Sequence, residues 1–327
     1  MKLDKYSKYF KYIVAFGIIG VIGHFYRKYE DNQENSLDNP NNMYIQKYLL
    51  NQSSYLGGKP ILWIHNTLNI NARNWQSWGS RNTKDLNQNY IYLCIQTVIN
   101  QCSKDFNICL IDDDSFEKLI PNWRIELSEI PDPIRLHVRT LGLMKLLYYY
   151  GGLLVPNSFV AFKNLSKLHS NHLKYRDCYV GTFINHNSSN LETFPSYKFM
   201  GCNKQSKCVK EFINFLEVLN STDYTNETDF LGKIDRFLFK GCSENALIQI
   251  SPKLLGVYDD KKKLMVIDEL LSNSFYSFHK DCYGVCLPEE QILKRFKYQW
   301  FPRLSHEQLL QSNLTIAKYL LVALNAK

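Results

Sequence analysis

The chain predicts an α/β fold, a mixed sheet flanked by helices, preceded by a membrane-spanning segment. Three observations predict it. Residues 60–111 read as strand, helix, strand, with Asp112, Asp113 and Asp114 at the end of the second strand. Residues 134–150 read as a helix that is apolar on nearly every face, the mark of a buried helix. Gly151-Gly152 stops that helix, and Leu153, Leu154 and Val155 follow without polar alternation, as in a strand buried on both faces.

In chain order, residues 1–11 are a basic tail carrying Lys2, Lys5, Lys8 and Lys11. Residues 12–26 predict a transmembrane anchor, apolar and flanked by Tyr6, Tyr9, Phe10, Phe25 and Tyr26 as at membrane interfaces. The run is short against the ~20 residues that a spanning helix usually needs. Its lysine-rich side is expected in the cytoplasm, which makes the chain single-pass type II. Residues 27–58 are a stem or linker, since 29–42 hold almost nothing to bury, with a short helical stretch over 43–50. The globular domain is expected over 59–327.

Within that domain, 60–65 is a buried strand ending at His65, 90–100 a helix, 106–111 a second strand and 116–119 a short helix. Asp132 is placed to cap the helix over 134–150, with Pro133 at its first position. Pro156 ends the following strand by withholding a ladder donor. Further on, 179–183 predicts a strand, 196–206 a strand and turn, and 207–219 an amphipathic helix. Short strands are expected at 247–251, 255–258 and 264–267, then one closing helix over 305–326 capped by Ser305. Open sheets of this kind take ligands outside the carboxyl ends of their strands.

Tyr150-Gly151-Gly152, closing a buried helix and leading into a short apolar strand, resembles the glycosyltransferases with a DxD sugar-binding region. The capsular-polysaccharide-synthesis and Golgi mannosyltransferase-like enzymes are similar in pattern over residues 60–165. The resemblance implies a GT-A-like (Rossmann-like) domain and a nucleotide sugar or glycan as ligand. In that family the strand runs into Asp-x-Asp, which holds a divalent metal on the diphosphate, and an Asp and an Arg on the preceding helix help bind the donor. Here the DxD positions hold Pro156, Asn157 and Ser158, and the helix positions fall on Thr140 and Leu143. No cofactor is therefore expected; Mn²⁺ or Mg²⁺ enters only if the domain is an active transferase. The Asn-, Lys-, Tyr- and Ile-rich composition is similar to that of proteins from large DNA viruses, so a virion membrane stands beside the secretory pathway as the location.

Net charge is +8, partly in the first residues, and no basic stripe with interleaved aromatics appears, which argues against nucleic acid as a partner. The nine cysteines lack CxxC pairs; most read as buried thiols, with one or two disulfides if the domain is lumenal. Candidate ligand contacts are His65 and Trp75 after the first strand, Arg135 and Arg139 four residues apart on one helix face, and Asn157 and Ser158 at the strand end. Asp112 and Asp114 are the candidate metal ligands, through hard oxygens. Each has a plainer alternative: the acids favour the start of the next helix, the arginines meet Glu126 or Glu129, Trp75 packs, and Pro-Asn-Ser is a turn. His279 and Asp281 are a further acid–base pair to consider. Two functions stand together: a sugar-binding or structural pseudoenzyme, and an active glycosyltransferase.

Overall fold

The computed structural model describes residues 58–67, 88–184, 193–222, 227–274 and 276–325, the side chains of 227–231 and 294 apart. The tail, the anchor candidate at 12–26, the stem through residue 57 and Trp75 lie outside the described residues. Among the described residues no helix is long and apolar enough to cross a membrane.

The first half follows its sequence. β1 (Ile61–His65), α1 (Asn89–Cys102) and β2 (Asn107–Ile111) make a parallel crossover, with β1 and β2 in register from Ile61↔Asn107 to His65↔Ile111. After α2 (Ser115–Leu119), the buried helix α3 (Ile134–Tyr150) carries the chain back over β1. β3 (Gly152–Pro156) then pairs in parallel on the other side of β1, from Leu62↔Leu153 to His65↔Pro156. Side chains alternate across β1. Leu62 and Ile64 join the cluster formed with α1, while the Trp63 indole points the other way and donates to the Gly151 carbonyl at 3.0 Å. Both faces of the strand are thus covered, which is why its sequence shows no polar alternation.

The helix-to-strand joint depends on its glycines. Gly151 has φ +68° and Gly152 φ +100°, in the region that side chains avoid. A Cβ on Gly152 would lie 2.1 Å from the Ile61 carbonyl oxygen, so β3 lies tight against β1 only without one. At the other end of α3, Asp132 makes no cap: no side chain caps this helix. Its first turn is tied instead by Arg135, whose backbone N–H meets the Pro131 carbonyl at 3.0 Å and whose Nε meets the Ile130 carbonyl at 2.6 Å.

The rest of the sheet comes from β5 (Cys178–Ile184), β6 (Thr193–Cys202) and β7 (Ile248–Gln249). Strand order is β2-β1-β3-β6-β5-β7, with β6 antiparallel to both neighbours and the other five strands aligned. β4 (Phe159–Ala161) leaves the main sheet and pairs with β8 (Gly284–Cys286), antiparallel. Around these lie α4 (Ser166–Leu173), α5 (Lys207–Ser221) and α6 (Glu227–Ser243), with Phe215 and Phe237 stacked at 4.4 Å between the last two.

Three expectations for the second half need correction. Of the strands expected over 247–267 only β7 forms; 255–258 begins in a 3-10 turn, Tyr258 and Leu264 share an isolated bridge, and α7 (Ile267–Leu270) takes the last position. The closing helix is two, α9 (His306–Gln311) and α10 (Thr315–Asn325), following α8 (Glu289–Lys294). Ser305 does cap the first, through a capping box with Gln308. The break falls where the Thr315 hydroxyl donates to the Ser272 and Ser274 carbonyls, anchoring α10 so that Ile316, Ala317, Leu320 and Ala323 face the core. One disulfide, Cys178–Cys208, ties the start of β5 to α5; the other seven cysteines are free and five of those are buried.

Candidate functional site

β1 feeds a crossover to β2 on one side, and β3 leads to β5 on the other. Between the carboxyl ends of β1 and β3 the connections therefore diverge, and this is the crevice where open α/β sheets hold ligands. The residues that follow these strand ends make several separate sets of polar contacts.

Asp113, just past β2, is the centre of the first. Arg139 reaches across from α3 and donates from Nε to Oδ1 at 2.7 Å and from an Nη to Oδ2 at 2.6 Å, a two-pronged pair. His65 Nε2, at the end of β1, lies 2.9 Å from the same Oδ1. Burial works to raise the Asp113 carboxyl, but the hydrogen bonds and charge of Arg139 and His65 hold it well below the usual carboxylate range. The His65 ring stacks on Phe116 at 5.7 Å. Phe116 fits there because Gly142 of α3 leaves room: a Cβ at that position would be 2.9 Å from the ring.

Asn66 and Asn157 bridge the two strand ends, the Asn157 amide donating to Asn66 Oδ1 at 2.9 Å, both side chains buried. Ser158 turns inward and donates to the Leu287 carbonyl at 2.8 Å, with Cys286 beside it. The chain then enters α8, whose Glu289 accepts from Gln88 at 2.6 Å. Burial pushes the Glu289 carboxyl up, against the pull of Gln88, Lys198 and His65.

The expected contacts thus fall into two groups. His65 and Arg139 meet at Asp113, Asn157 bridges to Asn66, and Ser158 lines the same strand end. Arg135 does not join them; it is spent on the Ile130 carbonyl, so the two arginines form no clamp. His279 and Asp281 meet at 3.7 Å on the surface, apart from these contacts.

Pro156, Asn157 and Ser158 offer no carboxylate. Asp112 accepts from the Ser115 amide and hydroxyl, closing a turn at the start of α2, while Asp114 is exposed. Among the described residues no group of three or more His, Cys, Asp or Glu side chains can hold a metal ion.

Two participants have no sequence signal. β6 carries a bulge: Val180 pairs with Met200 but Gly181 with Ser196, so Tyr197, Lys198 and Phe199 have no partners on β5. Met200 is level with Leu154, which brings the bulge to the carboxyl end of β3. Bulges at such places re-aim side chains. Lys198 there pairs with Glu290 of α8 at 2.9 Å. Periodicity within β6 does not reveal an irregular register, and Glu290 reads as an ordinary surface acid.

No family model matches this chain, and no curated protein does. Among solved structures one similar chain is the PaToxG glycosyltransferase, 12% identical over 63% of this chain and 74% of that one, with a TM-score of 0.30.

Proposed function

We propose that this is a glycosyltransferase-like domain of the GT-A kind, which binds a nucleotide sugar or glycan between the ends of β1 and β3 and performs no metal-dependent transfer. The resemblance at Tyr150-Gly151-Gly152 supports the sugar ligand, and the strand order supports the place. The observation that carries the reading lies at that place: Pro156 and Ser158 stand where a metal-dependent transferase needs carboxylates, and a neutral pair, Asn66 with Asn157, bridges the strand ends beside them. Neutral amides and hydroxyls hold sugars and phosphates by hydrogen bonds alone. The chain is further proposed as a type II protein anchored by residues 12–26, in the secretory pathway or a virion membrane. The disulfide supports an oxidising side for the domain.

Thermal shift of the full-length chain with a panel of sugar nucleotides, with and without Mn²⁺, tests this. A ligand raises stability by mass action. The expected result is a shift that Mn²⁺ does not enlarge; a strong Mn²⁺-dependent shift overturns the reading.

One observation favours the active alternative. Glu289 is a partly buried carboxyl that desolvation holds above its ordinary range, within the field of His65, the kind of tuning that acid–base catalysis uses. If the chain is a transferase, sugar release from the bound donor is abolished in Glu289→Gln while donor binding persists.

A further inference from the structure

A nucleotide sugar brings two negative charges in its diphosphate, and any site that holds it needs cations there. Where no carboxylate pair holds a metal, protein cations must serve. The strand ends offer two, Arg139 and Lys198. Arg139 is already matched, both prongs on Asp113. Lys198 is held differently. Its ammonium pairs with Glu290, and the two side chains are 48% and 53% exposed, so the contact opens to water at small cost.

Position agrees with availability. The bulge sets Lys198 level with the carboxyl end of β3, where Pro156, Asn157 and Ser158 replace the acids. Its partner Glu290 adjoins Glu289 on α8, and its charge reaches Cys286, which lies beside Ser158 at the end of β3. Tyr197, its neighbour in the bulge, is felt by both Arg139 and Lys198.

We infer that Lys198, lifted by the β6 bulge and restrained by Glu290, is the cation that takes the diphosphate of a nucleotide sugar at the end of β3, in place of a divalent metal. This rests on the sugar-nucleotide reading above. Glu290 is then a competitor: the diphosphate displaces it from Lys198, and the acids around the lysine discourage monoanions too weak to do so.

Calorimetry on the full-length chain in EDTA tests it, with inorganic pyrophosphate, UDP-glucose and GDP-mannose as probes. The parent is expected to bind pyrophosphate. Lys198→Met weakens that binding about tenfold or more, the scale of one lost charge-assisted hydrogen bond. Lys198→Arg retains it. Glu290→Gln strengthens it about two- to fivefold, the worth of an exposed ion pair. A Lys198→Met variant that melts with the parent and binds all three probes equally well overturns the inference and leaves the sugar reading standing. If Lys198→Met does not fold, Glu290→Gln decides, since unchanged pyrophosphate affinity overturns the inference from the other side of the contact. A parent that binds pyrophosphate through Lys198 but neither sugar nucleotide supports the cation and defeats the sugar reading.

Discussion

Asp113 holds together three segments that are far apart in sequence: the end of β1 through His65, the start of α2, and the middle of α3 through Arg139. Its folded-state carboxyl lies below the ordinary value of 3.8. The fold therefore keeps it ionised where the unfolded chain already takes up a proton. Its contribution to stability is whole above about pH 4 and is lost as pH falls through the folded-state value. Asp113→Asn should cost about 1–3 kcal/mol near neutrality, since Arg139 loses its two-pronged partner. Denaturant melts from pH 2 to 7 check both points: the variant's acid-side slope should be flatter than the parent's. Sequence patterning brought His65, Arg139 and the acids into view separately, but not the pairing. A salt bridge across 26 and 48 residues leaves no local signal.

At the scale of elements, β3 and the joint before it are the most exacting. Leu154 is 3% exposed in an interior strand. Leu154→Asp should cost about 3–5 kcal/mol by burying an unpaired charge, and a variant melting near the parent temperature would place the strand at the surface. Gly152→Ala should lower stability by about 1–3 kcal/mol, for its left-handed backbone and the Ile61 carbonyl in its way. These elements were readable because strands buried on both faces and a helix apolar all round are long unbroken signals. The second half was less readable. Leu255 and Ile267 are buried, as strand residues would be, yet they sit in single turns closed by their own backbone bonds. The closing helix carries a continuous apolar pattern, and only the tertiary contact of Thr315 with the 272–274 loop divides it. The β6 bulge, which brings Lys198 to the candidate site, is a property of strand pairing and not of β6 alone.

For the whole molecule, the disulfide closes a loop between residues 178 and 208, a separation of 30. In the chain-entropy account such a loop is worth about 3–4 kcal/mol. Cys208→Ser should lower stability by about that amount, read as a fall in melting temperature that reductant no longer deepens. Orientation is tested separately by protease treatment of microsomes carrying the full-length chain, where the proposed topology requires the domain to survive until detergent is added. The C-terminal helices have a consequence for how the protein is made. Asn100 and Gln101 of α1 donate to the carbonyls of Leu324 and Ala323, and Asn89 donates to Leu304. The first described helix is thus clasped by residues more than 200 positions later. On the ribosome α1 must wait with its apolar face uncovered while the sheet assembles around it. The candidate site, whose β4–β8 flank also closes late, becomes whole only as synthesis nears the last helix.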